Sequence, residues 1–130
     1  MKTLSLWTNQ REEMLDITDE LRRTAQAEGW INGALHVFCP HTTCGLTINE
    51  GVDPAVRQDI IRFFGEIAPA DHGWKHFEGN TDAHLRASLL GSSLLIPLDE
   101  NGLMLGRWQG VFLYEGDGPR QRSLIVQRLG

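Results

Sequence analysis

The sequence has no long apolar run and no excess of positive charge, and each absence excludes a class of partner. No stretch approaches the roughly 20 apolar residues of a membrane-spanning helix, so we expect no membrane partner. Lys and Arg together number 12 and Asp and Glu 17 among 130 residues, which gives a formal net charge of −5. Because nucleic acids and anionic lipid surfaces attract positive fields, we expect this acidic chain not to bind nucleic acid.

Cysteine is scarce, and the amino-terminal segment lacks the apolar stretch of a secretory signal. The first residues are mixed in character and turn charged at Arg11, which predicts a cytoplasmic protein. Cys39 and Cys44 are separated by four residues with no further cysteine, a spacing unlike that of zinc ribbons. Since thiols stay reduced in the cytoplasm, both are expected to be small packing residues.

Glycine is plentiful by contrast, and it indicates a strand-rich domain with many tight turns. The chain has 14 glycines, about 11% against an average near 7%. No repeat, linker or low-complexity tract divides the chain, so one domain is expected over residues 1–130. The apolar patterns and turn residues predict seven strands, over residues 2–7, 34–39, 45–49, 93–98, 103–105, 110–115 and 123–129.

Three helices are predicted over residues 18–28, 54–64 and 81–90. Thr18, Asp53, and either Asn80 or Thr81 are suited to cap them, and Leu85 and Leu89 are expected to face the core. Several strands lack alternation of apolar and polar residues, which indicates that both of their faces are covered. The fold class is therefore α+β, a two-sheet, jelly-roll-like β-sandwich with about three flanking helices.

Polar residues interrupt the apolar pattern most densely over residues 40–50. This segment holds one histidine, three threonines, an asparagine and a glutamate. Either it serves a function, or its threonines merely favour strands while Asn49 and Glu50 begin a turn. Of the five histidines, His36 lies inside a strand, and His72 is four residues from His76 with Gly73 and Trp74 between them, which makes a shared helical face doubtful.

His76, His84 and Arg120 are candidates for a metal or anion site. Neutral imidazole is a common metal ligand, although a single histidine is more often structural. His84 lies in the first turn of a predicted helix and leans back toward the loop that carries His76. Arg120 stands in the turn Asp117-Gly118-Pro119-Arg120 and offers a planar fork for phosphate or carboxylate, or else is a solvated turn residue. No Walker loop or dinucleotide fingerprint is present.

Three blocks of the chain together resemble the YjbQ-like family, whose members are described as secondary thiamine-phosphate synthases. The blocks are HTTCGLTINEGVDPAVRQD at residues 41–59, HFEGNTDAHLRASLLGSSLLIPL at residues 76–98 and NGLMLGRWQGVFLYEGDGPRQR at residues 101–122. The resemblance runs nearly end to end. It departs at Arg107, where the family usually has threonine before Trp-Gln, so a more anionic ligand is expected if this position lines the site.

The resemblance implies a homotrimer with a divalent metal, zinc or magnesium, and a small phosphorylated metabolite as its ligand. It implies three groups of site residues: metal ligands His41, His76 and His84; substrate-binding residues Thr43, Asn80 and Arg120; and catalytic residues Glu50, His84 and Gln109, with Glu50 as the general acid or base. His36 and His72 do not match the family pattern.

The implied reaction joins a pyrimidine methyl diphosphate to a thiazole phosphate and releases diphosphate. Departure of diphosphate develops negative charge, which a metal or an arginine stabilises. Histidine clusters suit Zn²⁺ better than Mg²⁺, which prefers carboxylates and water. A metal-dependent hydrolase or isomerase acting on a phosphorylated metabolite is therefore an alternative. A non-catalytic trimeric ligand- or metal-binding protein is a third.

Overall fold

The computed structural model describes all 130 residues and contains eight strands and three helices. The strands are β1 (Lys2–Trp7), β2 (Glu13–Asp16), β3 (Ala34–Phe38), β4 (Cys44–Glu50), β5 (Ser93–Asp99), β6 (Gly102–Leu103), β7 (Gln109–Glu115) and β8 (Gln121–Leu129). The helices are α1 (Thr18–Glu28), α2 (Pro54–Ile67) and α3 (Thr81–Leu90). No helix combines the length and the apolar character that crossing a bilayer requires.

The strands form two antiparallel sheets, which confirms the predicted α+β class. The larger sheet has the order β1-β8-β3-β5-β6 and the smaller has the order β2-β7-β4. The main core draws on inward-facing positions of both sheets and on α1, with Leu35, Val37, Leu46, Val111, Leu113, Leu124, Val126 and Leu21 among its fully buried members. Apolar burial between the sheets is what holds the sandwich together.

Strand β7 is buried on both faces, as its unbroken apolar sequence predicts. Val111 and Leu113 face the main core, whereas Phe112 and Tyr114 belong to a second cluster beneath α2. In that cluster the ring of Phe64 meets Tyr114 edge to face at 5.3 Å between centroids, a favoured aromatic geometry. Helix α2 thus covers the outer face of the smaller sheet.

Helix α3 packs differently from the prediction, which is wrong for Leu85 and Leu89. Leu89 is exposed and Leu85 half-buried, while the buried face consists of Asp82, Ala83, Arg86 and Ala87. The helix lies so close to the smaller sheet that a Cβ on Gly45 would stand 2.9 Å from the Cβ of Leu90. Small residues fit this gap, and larger ones do not.

Local sequence signals at the helix starts succeed at one helix and fail at another. Asp53 caps α2 as predicted, because its carboxylate accepts a hydrogen bond from the amide of Ala55 at 2.9 Å. The cap predicted at Thr18 is wrong, since Ile17 occupies that position in α1. The Thr18 hydroxyl instead accepts a hydrogen bond from the amide of Val111 at 2.9 Å, tying the helix to β7. Strand β2 was not predicted at all, and other boundaries differ by one to three residues.

The outer face of the larger sheet carries none of the three helices. Alternation along its strands places uncharged residues there: Thr3, Ser5, Trp7, Ala34, His36, Phe38, Ser93, Leu95, Pro97, Gln121, Ser123, Ile125, Gln127 and Leu129. Only Asp99, at the end of β5, adds a charge. We refer to these residues as the uncharged face.

Candidate active site

A polar pocket lies at one end of the sandwich, where three segments of the chain meet. They are the loop from β3 to β4, the start of α3 with the residues before it, and the turn from β7 into β8. The cavity measures about 350 Å³, and apart from the ring of Pro40 its lining is polar: His41, Thr42, Thr43, Glu78, Asn80, His84, Asp117, Arg120 and Arg122. A second cavity of about 490 Å³ shares His41, Thr42 and His84 with it.

A buried ion pair between Glu115 and Arg122 forms the back of the polar pocket. Glu115 has no exposed surface and Arg122 has 3%. The Arg122 Nε donates to Glu115 Oε1 at 2.8 Å, and Nη2 donates to Glu115 Oε2 and, at 2.8 Å, to the hydroxyl of Thr43. Arg122 Nη1 is left with no partner in the protein, so the arginine retains one donor group for a ligand.

Glu115 gathers further donors that fix the segments around the pocket. Its carboxylate accepts hydrogen bonds from the Thr8 hydroxyl at 2.8 Å and the Asp117 amide at 3.0 Å. Burial alone would raise the pKa of Glu115, but the hydrogen bonds from Arg122, Asp117 and Thr8 outweigh it and hold the pKa below the ordinary value of 4.5. The carboxylate is therefore ionised at neutral pH.

The turn that carries Arg120 needs glycine for steric reasons. A Cβ on Gly118 would stand 2.4 Å from the carbonyl oxygen of Gln10 and 2.8 Å from the hydroxyl of Thr8. The Arg120 amide donates to that same hydroxyl at 2.9 Å. The Arg120 side chain is half exposed and lies 3.3 Å from Asp117 Oδ2, so its guanidinium is only loosely held.

His41 enters the pocket as a neutral imidazole. Burial, and then the charge of Arg122, lowers its pKa below 6.5. Its Nε2 lies 3.0 Å from the Ser123 amide nitrogen and accepts that N–H. Nε2 also lies 3.1 Å from the Ser123 carbonyl oxygen. Because the backbone of Ser123 engages Nε2, Nδ1 is the nitrogen available to a ligand.

His76 and His84 lie together, but no three-ligand metal centre is formed within the chain. Their ring centroids are 5.2 Å apart with planes at 87°, and His76 Nε2 lies 3.7 Å from Glu78 Oε2. No group of three His, Cys, Asp or Glu side chains is placed to hold one ion. His41 shares the pocket with His84 without completing such a group, so the predicted metal stays a prediction.

Asn80 occupies the capping position of α3, yet its side chain does not cap the helix. Its Nδ2 donates to Asp117 Oδ2 at 2.8 Å. Asn80 is only 6% exposed, and its buried Oδ1 has no hydrogen-bond partner. An unpaired buried acceptor is costly to leave in place.

Glu50 and Gln109 lie at the other end of the smaller sheet. They pair with one another across β4 and β7, whereas Cys44 pairs with Glu115 at the pocket end. Six residues of strand separate the two ends by about 20 Å. Each side chain also has a local contact: Glu50 accepts the Val52 amide at 2.7 Å, and Gln109 accepts the Gly106 amide at 2.8 Å. Neither can reach the pocket of its own chain.

Arg107 does not line the pocket either. Its guanidinium carbon lies 4.8 Å from the ring centroid of Trp108, next to Gln109. A more anionic ligand was expected only if Arg107 lined the site, and within one chain it does not.

The structure brings together most of the residues that the family resemblance implies. Thr43, Asn80, Arg120, His41 and His84 line one pocket, and His76 is adjacent through its contact with His84. Sequence reasoning missed Arg122 and Glu115. Their signal was available, because each stands at an inward-facing position of its strand. Arg122 lies on the same face of β8 as Leu124, and Glu115 on the same face of β7 as Leu113.

The family resemblance is confirmed by comparison with known proteins. The family model described as UPF0047 protein YjbQ-like matches residues 2–130. The UPF0047 protein YugU of Bacillus subtilis is 44% identical over 131 residues, covering 100% of this chain and 99% of that protein. A UPF0047 protein of Methanocaldococcus jannaschii is 42% identical over 123 residues, covering 95% of this chain and 89% of that protein.

Solved structures agree with this assignment. A YjbQ/UPF0047 family protein from Clostridium acetobutylicum superposes with a TM-score of 0.95 at 41% identity, covering 99% of this chain and 100% of that chain. A conserved protein from Thermus thermophilus has a TM-score of 0.92 at 41% identity over the same shares of the two chains. The chain therefore belongs to the UPF0047 family of YjbQ-like proteins.

Proposed function

We propose that this protein is an enzyme of the thiamine-phosphate synthase type, with the polar pocket as the site of a phosphorylated substrate. One observation carries the proposal: a cavity lined almost entirely by polar groups holds two arginines and two histidines. Guanidinium groups suit phosphate oxygens. The family resemblance supplies the specific reaction.

The reaction makes a demand that these residues meet. The carbon–oxygen bond between the pyrimidine methyl carbon and diphosphate breaks, and both electrons leave with the diphosphate. The lone pair of the thiazole nitrogen forms the new carbon–nitrogen bond. Arg120 and the free Nη1 of Arg122 stabilise the developing charge, and Thr43 and His41 stand beside them in the pocket lining.

Release of diphosphate from the two substrates tests this proposal. Purified protein is expected to release diphosphate and form thiamine phosphate, and Arg120→Gln is expected to lower turnover about 100-fold, as for loss of a donor to developing charge. Arg62→Gln is the matched control, because Arg62 is an exposed arginine on α2. His84→Ala, at a second residue of the pocket lining, is expected to abolish turnover.

Three results would count against the proposal in different ways. Absence of thiamine phosphate with wild-type protein rejects the synthase reaction. Phosphate or diphosphate release from a single substrate favours the hydrolase alternative. Equal turnover by Arg120→Gln and Arg62→Gln removes the pocket from the reaction.

We also propose that the chain forms a homotrimer through the uncharged face. Interface cores are depleted of charged residues, and this exposed sheet face has none among its fourteen outward residues before Asp99. Leu95, midway along β5, is 61% exposed. A face of this composition suits a second copy of the same chain better than a charged partner.

Light scattering after size exclusion tests the assembly. Wild-type protein is expected at three times the mass of one chain, and Leu95→Glu at the mass of one, since a lone buried carboxylate disfavours association. Leu89→Glu is the matched control, because Leu89 is also 61% exposed but lies on α3. A monomeric wild type, or equal masses for both variants, rejects the proposal.

The divalent metal is tested on protein without an affinity tag. Elemental analysis is expected to find zinc or another divalent ion near one per chain, and less of it in His84→Ala. A background level in wild-type protein rejects the predicted metal and with it the metal-dependent hydrolase.

A further inference from the structure

The polar pocket contains acceptors as well as donors. Its lining includes the carboxylates of Asp117 and Glu78 beside the guanidinium groups of Arg120 and Arg122. Asp117 Oδ2 is engaged by Arg120 at 3.3 Å, but Asp117 Oδ1 has no partner in the protein. A ligand that consisted of phosphate alone would leave these carboxylates facing its negative charge.

The side-chain amide of Asn80 also has an acceptor without a donor, and its contact with Asp117 fixes which end of the amide this is. A carboxylate can only accept, so the side-chain nitrogen of Asn80 must be the atom that faces Asp117 Oδ2 at 2.8 Å. The side-chain oxygen of Asn80 is then the atom left without a partner, and the residue is only 6% exposed. Asp117 and Asn80, both in the pocket lining, thus each keep one vacant acceptor, of which Asn80 Oδ1 has essentially no exposed surface.

We propose that the physiological ligand is a phosphorylated compound that also carries an amino group. Its phosphate lies against Arg120 and Arg122, and its amino group donates to Asp117 Oδ1. An amino group matches this lining because it supplies donors without bringing a negative charge. The inference rests on the proposed function in one respect, which is that the pocket holds a phosphate.

Four small phosphates that differ in one group test the inference by calorimetric titration. O-phosphoethanolamine carries an amino group, 2-hydroxyethyl phosphate a hydroxyl, ethyl phosphate neither, and phosphocholine a positive charge without N–H donors. O-phosphoethanolamine is expected to bind wild-type protein about tenfold more tightly than each of the other three, because only it supplies N–H donors to the vacant carboxylate oxygen of Asp117.

Two variants then identify the residue that reads the amino group. Asp117→Asn keeps the shape and one oxygen but replaces the vacant acceptor with a donor, so the tenfold preference should disappear. Asp59→Asn removes the same charge from an exposed position of α2 and should keep the preference. Thermal unfolding confirms that Asp117→Asn is folded, and the wild-type series alone is decisive if it is not.

The outcomes separate this inference from the proposed function. Equal binding of all four phosphates overturns the amino-group inference and leaves the phosphate pocket standing. Preference for 2-hydroxyethyl phosphate overturns it in favour of a hydroxylated phosphate. Binding of none of the four, together with no binding of inorganic diphosphate, overturns the inference and the proposed function together.

Discussion

Replacing Glu115 by glutamine is expected to destabilise the fold strongly, although the change is nearly isosteric. Arg122 is 3% exposed and has no other carboxylate among its hydrogen-bond partners. Breaking a buried pair by removing one charge costs about 3–5 kcal/mol, because the remaining ion is left uncompensated. Glutamine keeps one acceptor oxygen for Arg122, Thr8 or Asp117, so we expect about 3 kcal/mol, the lower end of that range.

Urea and thermal unfolding at neutral pH measure this cost. For a domain of this size, a loss of 3 kcal/mol corresponds to a fall in Tm of about 10 °C. Glu66→Gln is the control, because its pair with Arg62 is exposed at 64% and 82% and is expected to contribute less than about 0.5 kcal/mol. If Glu115→Gln and Glu66→Gln unfold at the same urea concentration, the buried pair does not support the fold as described.

Three further predictions concern stability. Because the pKa of Glu115 is lowered in the folded protein, its contribution to stability is present above pH 4.5, its ordinary pKa, and is lost as the pH falls through the folded pKa. The free energy of unfolding, measured over a range of acidic pH, should show this loss in wild type and not in Glu115→Gln. Asp53→Ala should cost about 1 kcal/mol in urea unfolding by removing the α2 cap, and Asp59→Ala should not. Gly116→Ala should cost about 1–3 kcal/mol, because its Cβ would stand 2.7 Å from the Cβ of Ala83. Gly65→Ala is the control: its Cβ meets nothing within 4 Å in α2, so it should raise the free energy of unfolding.

Signals that depend on neighbouring residues could be read from the sequence. Asp53 before Pro54 predicts a capped helix start, and Gly29 ends α1 with the left-handed backbone that glycine allows. The apolar run of β7 predicts burial on both faces. Such features follow from local stereochemistry and from the period of the strand, so no tertiary information is needed.

Features that depend on distant partners could not be read in the same way. Arg86 is buried because Glu12, the hydroxyl of Tyr114 and the carbonyl of Ala68 surround it, and no spacing within α3 indicates these partners. Leu85 and Leu89 of that helix were expected to face the core because of their local apolar spacing. The helix instead turns its small residues and Arg86 inward, because it packs closely against β4.

The pocket shows where both kinds of information are needed. The residues that line it come from segments far apart in the chain, and from the sequence only the family resemblance indicates that they belong to one site. The ion pair of Glu115 and Arg122 needed no resemblance, because alternation along β7 and β8 places both charges between the sheets. Two opposite charges at inward positions of strands joined by a short turn predict a buried pair.

The distance between Glu50 and the pocket leads to a last prediction. His41 hydrogen-bonds the backbone of Ser123, a residue of the uncharged face. The assembly proposed above would therefore set another chain beside the pocket. If Glu50 is catalytic, it must then act on the pocket of a neighbouring chain. Co-expressed Glu50→Gln and Arg120→Gln chains, each of strongly reduced turnover alone, should recover about a quarter of wild-type turnover, the share of random pairings in which both residues are intact. Full inactivity of the mixed assembly, with mixing shown by mass spectrometry, would exclude Glu50 from a shared site.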